Sequence, residues 1–518
     1  MRMPMAENDV IIIGAGIAGL SAAIELAAAG YRVEIVERGA APGGKMRQVF
    51  VNDEPIDAGP TVFTMRWVFD DLLARASTTL ESHLSLKRAD ILARHVWDDG
   101  QGARLDLLAD IDRSADAIAA FSNRREAAGY RAFCAEAAAI FKTLKGPYIA
   151  AQKPGFFDLP IRTGLAGLFD LYRTKPFTTM WAALGRHFHD PRLRQLFGRY
   201  ATYCGSSPFQ AAATLMLVAH VEQDGVYLVE GGMHALARAL AGIAKGLGVR
   251  FRYETCITKI LVEDGEVAGV CFGERGELRS KSVIANADVS AIADGLFGPA
   301  VQPAVPHLHP HDRSLSAITW QVRANTSGFP LSRHTVFFSD NYQAEFDCLF
   351  NRHQMPSAPT TYVCAQDRDD QGRLARTGPE RMLVLINAPA TGDSEDFERN
   401  RVLRCEDQTF ALLSRCGLSV DRAPAGMKVT TPADFNTLFP ATGGALYGRA
   451  SHGWRASFKR PGAKTSIPGL YLAGGSAHPG PGVPMAALSG RLAAERLMSY
   501  QPKPNARPRI YQVLEPVR

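Results

Sequence analysis

Three glycines at fixed spacing, Gly14-Ala15-Gly16-Ile17-Ala18-Gly19, are the first residues whose types and order imply chemistry. The first glycine of such a run allows a tight turn. The second lets the backbone approach a pyrophosphate, and the third lets helix and strand pack closely. The helix N-terminus beyond them offers free N–H groups and positive potential to phosphates. Glu37 stands near the roughly 20-residue spacing expected of an acid that accepts ribose hydroxyls. Such a carboxylate disfavours a 2′-phosphate. A second glycine pair, Gly43-Gly44, lets backbone pass close to flat or anionic parts of a ligand, and Lys45 and Arg47 add charge. His478, in the Gly/Pro-rich run 474–484, is the one candidate base, and a hydrogen-bonding structural role is its other reading.

The elements that must position these residues follow from pattern. Residues 10–13 form an apolar run that ends at Gly14, which predicts a buried strand. Residues 17–29 have helical composition and stop at Gly30. Residues 32–37 alternate like a second strand. A second block, 226–288, contains Gly231-Gly232, a helix over 233–246, a strand over 249–253, a hairpin over 257–272 and a short strand over 282–285. A third block holds a strand over 469–473, the Gly/Pro loop 474–484 and a helix over 485–500. The intervening stretches are mostly helical (72–224) and mixed (299–440) in composition. This predicts a discontinuous nucleotide-binding domain from residues 1–71, 225–298 and 441–500. A second domain would come from 72–224 and 299–440, with 501–518 as a tail.

Composition narrows the class. The chain has 518 residues, 46% hydrophobic and 21% charged, enough for two or three domains. A net charge of +6 makes no case for nucleic acid and permits attraction to an anionic membrane surface. The eight cysteines are scattered singly, so neither a metal site nor a dithiol relay is expected, and a reducing cytosol fits. Residues 1–9 lack an apolar signal region. No apolar run reaches the roughly 18 residues of a spanning helix. Leu165, Leu168, Phe169 and Tyr172 follow i, i+3, i+4, i+7, one apolar face flanked by Arg162, Arg173 and Lys175. This face is either packed in a core or laid on a membrane, and Asp158 and Asp170 count against the membrane.

Gly43-Gly44-Lys45 following Glu37 resembles the signature of a large flavoprotein superfamily that includes amine oxidases, protoporphyrinogen oxidase and carotenoid desaturases. Asp57-Ala58-Gly59-Pro60-Thr61 stands where that superfamily has its next flavin-contacting segment, and residues 255–260 (TCITKI) match its adenine-holding strand. Residues 473–490 (AGGSAHPGPGVPMAALSG) closely resemble the segment of bacterial carotenoid desaturases that closes over the isoalloxazine. Ala477 departs from their usual threonine. Residues 57–72 (DAGPTVFTMRWVFDDL) look most like the hydroxycarotenoid branch, the 1-hydroxycarotenoid 3,4-desaturases or methoxyneurosporene dehydrogenases.

The resemblance implies an α/β (α+β overall) fold: a discontinuous Rossmann-like FAD-binding domain of the glycine-doublet type with an inserted, partly helical substrate domain. It implies FAD, held non-covalently, since no cysteine lies beyond Cys416 to anchor it. The implied contacts are Gly14, Ala15, Gly16, Ala18 and Gly19, then Glu37 and Arg38, then Gly43, Gly44 and Lys45. Gly59, Pro60 and Thr61 follow, with Ile257, Asn286, Gly474, Gly475, Pro484 and Met485. The implied reaction is hydride transfer to flavin N5 from a saturated C–C bond beside a polyene. The cation left is allylic, so no strong base is needed and no catalytic residue is named beyond His478. The implied substrate is an acyclic carotenoid carrying a terminal hydroxyl or methoxyl. Arg66 and Trp67 are candidates for a polar neighbourhood reading that end at the blind end of the tunnel. The implied acceptor is oxygen or a quinone, and the location is cytoplasmic, peripheral to the membrane. The alternatives are a phytoene desaturase, an amine or protoporphyrinogen oxidase, and an FAD-free prenyl-lipid escort protein.

Overall fold

Five short strands, all but the edge strand Arg250–Arg252 buried end to end, form a parallel sheet in the order Leu470–Leu472, Val283–Ala285, Val10–Ile13, Val33–Val36, Arg250–Arg252. The computed structural model describes residues 8–99, 102–155, 158, 170–394 and 397–501. Near-continuous burial is what a parallel sheet covered on both faces demands, and it explains the uninterrupted apolar run VIII. Helix Ile17–Ala28 covers one face and packs against helix Val483–Tyr500. The second of these begins two residues earlier than its pattern predicts. Pro484 sits in its first turn, where a missing N–H costs nothing. The hairpin Ile257–Glu263/Glu266–Phe272 forms as expected and gains a third strand, Gly276–Arg279, that its sequence did not announce.

A second sheet has seven strands in the order Met427–Thr430, Ser316–Ala324, Glu380–Ala388, Thr361–Ala365, His334–Phe338, Ile91–Trp97, Arg104–Leu108. All neighbours are antiparallel except His334–Phe338 with Ile91–Trp97. The strands of the first sheet come only from residues 1–71, 225–298 and 441–500. Those of the second come only from 72–224 and 299–440. Helices Arg124–Leu144, Pro191–Gly198 and Leu217–Asp224 build a helical layer beside the second sheet, with the rings of Phe133, Phe188 and Phe197 packed against one another. The apolar face expected at Leu165, Leu168 and Phe169 lies outside the described residues; Tyr172 of that face is described and is 70% exposed.

Candidate active site

The parallel sheet ends at a turn that only particular residues can make. Gly14 leaves strand Val10–Ile13 at φ +93°, and its N–H donates to the carbonyl of Val36 at 2.8 Å. Asn286, at the end of strand Val283–Ala285, donates from Nδ2 to the carbonyl of Gly14 at 3.0 Å. Beneath it a Cβ on Gly19 would lie 2.2 Å from that same carbonyl oxygen, so only glycine lets the helix start this close to the strand. Ala15 donates its N–H to Glu37 Oε2 at 2.7 Å, and Gly39 donates to Glu37 Oε1 at 2.7 Å. The Glu37 carboxylate thus ties two turns together as well as facing the cavity. Gly43 donates to the carbonyl of Ala15 at 2.9 Å, which stacks the second glycine turn on the first. Next, residues 57–61 lie on 43–46 so closely that a Cβ on Gly59 would sit 1.9 Å from the carbonyl oxygen of Lys45.

These turns line one end of a single cavity of about 1270 Å³, larger than the roughly 300–1,000 Å³ of a one-ligand pocket. The same cavity is also walled by apolar side chains, among them Leu215, Val218, Val336, Leu383 and Leu385. Tyr172, Phe177 and Trp454 also line it, and the first two are 70% and 68% exposed, which places them at its mouth. A glycine-built cradle with inward backbone and an adjoining apolar space fits a dinucleotide whose flat ring reaches a second, apolar ligand.

Of the residues expected to hold the cofactor, Gly14, Gly16, Ala18, Glu37, Arg38, Gly43, Gly44 and Lys45 line the cavity. So do Gly59, Pro60, Thr61, Ile257, Asn286, Gly474, Gly475, Pro484 and Met485. Ala15 and Gly19 do not. Ala15 is fully buried behind the wall, and Gly19 supports the turn from below. His478 is also withheld from the cavity surface. It is 3% exposed, its Nε2 donates to the carbonyl of Ala151 at 2.9 Å, and Tyr148 packs edge-on against it. That geometry suits a structural hydrogen-bonder and not a base. Arg66 and Trp67 are absent from the lining as well. Arg66 pairs outward with Asp70 and Glu81, and Trp67 lies under the Lys145 ammonium.

Several contacts at the site gave no signal in the sequence. Lys45 Nζ donates to the carbonyl of Leu446 at 2.7 Å, and burial pulls its pKa down against the pull of Asp288. Arg460, 3% exposed, donates to the carbonyls of Tyr447 (3.0 Å), Gly475 (3.1 Å) and Arg449. Thr61 bonds the Tyr362 hydroxyl at 2.7 Å, and Tyr362 bonds His334 Nδ1 at 2.7 Å. Burial pushes His334 down to about 3, so this chain beside the cofactor segment is neutral.

A parallel sheet with its glycine turn, and a single chamber joining that turn to an apolar half, define a flavoenzyme. The chain belongs to the flavin containing amine oxidoreductase family, whose sequence model it matches over residues 17–377, and its cofactor is a flavin. Within that family it groups with the carotenoid desaturases. It is 52% identical to hydroxyneurosporene desaturase of Rubrivivax gelatinosus, over 96% of this chain and 95% of that protein. It is 28% identical to 1-hydroxycarotenoid 3,4-desaturase of Flavobacterium sp. (strain P99-3), over 94% and 98%. A solved oxidoreductase from Methanosarcina mazei shares the fold at a TM-score of 0.58 and 16% identity, over 94% of this chain and 99% of that one.

Proposed function

We propose that this enzyme desaturates a C–C bond near the end of an acyclic carotenoid already hydroxylated or methoxylated there, such as hydroxyneurosporene, in carotenoid biosynthesis. The observation that carries the proposal is the continuity of the glycine cradle with an apolar chamber in one cavity, in a chain half identical to a hydroxyneurosporene desaturase. The cofactor in this reading is FAD, which supplies a hydride acceptor. Glu37 and the glycine turns would hold its nucleotide half, and Thr61, Gly475 and Met485, which line the same cavity, would hold the ring. The apolar walls align the polyene and exclude water. No strong base is needed, because the proton to be lost neighbours a delocalised cation. The first sheet and its helices form the cofactor domain (residues 1–71, 225–298 and 441–500), and the second sheet with the helical layer forms the substrate domain. The test is conversion of phytoene, neurosporene and 1-hydroxyneurosporene under identical conditions. Efficient use of phytoene alone would make the enzyme a phytoene desaturase instead.

FAD is held without a covalent link, since no cysteine follows Cys416. Acid precipitation is expected to release all the flavin to the supernatant, and flavin retained on the pellet would refute this. Reduced flavin passes its electrons to oxygen or a quinone.

The substrate enters from a bilayer, and the enzyme sits on the cytoplasmic face of the membrane. Among the described residues no helix is long and apolar enough to cross one. Exposed Tyr172 and Phe177 at the mouth, with Trp454 against Phe177 (ring centroids 5.4 Å apart) and the Arg455 guanidinium over Trp454, are what an interfacial rim requires. Tyr172→Ser with Phe177→Ser should lower co-sedimentation with anionic liposomes severalfold and leave the flavin spectrum intact. Unchanged sedimentation would place the contact elsewhere.

A further inference from the structure

Among the apolar side chains that line the cavity stands a pair of opposite charges. Arg199 and Tyr203, on the short 3-10 turn Arg199–Cys204, and Glu222, on helix Leu217–Asp224, all line the cavity. Tyr200 donates its hydroxyl to Glu222 Oε2 at 2.6 Å, and Tyr203 donates to Oε1. Glu222 is 4% exposed. Arg199 has one long bond, from Nη2 to the Tyr203 hydroxyl at 3.4 Å, and its guanidinium lies 5.2 Å from the Tyr203 ring. Among the described residues its Nε has no hydrogen-bond partner. Burying charges is costly unless they are paired and bonded. A fold that needed only a greasy wall would do better with leucine or phenylalanine at both positions.

The cluster lines the same cavity as Tyr362, whose hydroxyl bonds Thr61 of the cofactor segment. That placement matters for a substrate hydroxylated at C1 and oxidised at C3–C4. The carbon bearing the hydroxyl is then two bonds from the bond that loses hydrogen. A group that reads the hydroxyl must therefore stand beside the oxidising ring and not at the far end of the chamber.

We propose that Arg199, Tyr203 and Glu222 hold the terminal hydroxyl of the substrate and thereby select hydroxylated over hydrocarbon carotenoids. The inference rests on the function proposed above. Arg199 donates to the hydroxyl oxygen. Glu222, whose carboxylate has lone pairs to spare beyond the two phenols, accepts the hydroxyl proton. A hydrocarbon end leaves these groups facing apolar carbon, and sites of this kind discriminate strongly. A methoxyl end can accept from Arg199 but has nothing to give Glu222, so it ranks between the two.

The test is steady-state kinetics of the FAD-loaded enzyme with 1-hydroxyneurosporene and neurosporene in liposomes, for the wild type and for Arg199→Met, Glu222→Gln and Tyr203→Phe. The ratio of kcat/KM between the two substrates should fall roughly 10- to 100-fold in the first two variants, mainly through KM, and less in the third. Flavin absorbance and the melting temperature establish that each variant is folded. Should Arg199→Met and Glu222→Gln lose their flavin, the isosteric Tyr203→Phe decides. Folded variants that keep the wild-type ratio would overturn this assignment while leaving the proposed function standing. A wild type with no preference for the hydroxylated substrate would overturn both.

Discussion

Glu37→Ala is expected to purify largely without flavin. The carboxylate accepts two backbone N–H groups at 2.7 Å, from Ala15 and Gly39, before any ribose is present. Bonds of this charge-assisted kind contribute about 1.5–3 kcal/mol each. Removing both loosens the glycine turn and the 37–39 turn together, and the ribose contacts proposed for Glu37 would be lost besides. At about 1.4 kcal/mol per tenfold, FAD should bind roughly 100-fold more weakly, or worse. Glu37→Gln is no rescue, because its amide has a single acceptor oxygen and would set its NH₂ group against one of the two donors. Flavin content after gel filtration, with a fluorescence titration of added FAD, gives the result. A stoichiometric flavin complement in the alanine variant would refute it.

Arg460→Met should lower stability by about 3 kcal/mol or more and cut flavin content with it. One buried guanidinium answers three carbonyls, those of Tyr447, Arg449 and Gly475. An unanswered buried carbonyl costs about 1–3 kcal/mol. The three belong to two loops, one carrying the Leu446 carbonyl that holds Lys45 and one beginning with Gly474 and Gly475. Burial draws Arg460 below its ordinary value, with Cys204, Tyr148 and Asp288 acting against that, yet arginine remains charged at neutral pH. Arg460→Lys keeps the charge without the planar fork and should recover part of the loss. A holoenzyme melt followed by flavin fluorescence measures both. An unchanged midpoint for the methionine variant would remove Arg460 from the architecture of the site.

The cofactor half was legible because its demands are local and admit few residues. Gly14, Gly19 and Glu37 lie within one strand-helix-strand unit, and each is fixed by a turn, a close approach or a pair of donors. The seven-stranded sheet was far less legible. Strand Ser316–Ala324 is buried on both faces over almost its whole length, so it shows no alternation and cannot be told by period from a buried helix. Arg460 and Arg199 were missed for a different reason. A lone arginine in a loop or turn usually marks a solvated surface, and only tertiary structure turns these two inward. Glu222 did leave a trace. It follows Val218 and Ala219 by four and three residues, on the buried face of its helix, where an acid contradicts the apolar stripe. His478 had two readings in the sequence, base or structural hydrogen-bonder, and the bond from its Nε2 to the Ala151 carbonyl is of the second kind.

The order of the parallel sheet also bears on how the ribosome delivers this protein. Strand Val10–Ile13 pairs with Val283–Ala285, and that strand in turn pairs with Leu470–Leu472. Strand Val283–Ala285 therefore joins partners from the two distant ends of the message and waits for the second of them. At about 5–20 residues per second, the last strand follows Val283–Ala285 by on the order of ten to forty seconds. Throughout that interval the emerging polypeptide carries an open, wholly apolar strand edge, the kind of surface that chaperones cover and that aggregates when they do not. Yield in a heterologous host should therefore be governed by the pace of translation and the supply of holdases as much as by the supply of flavin.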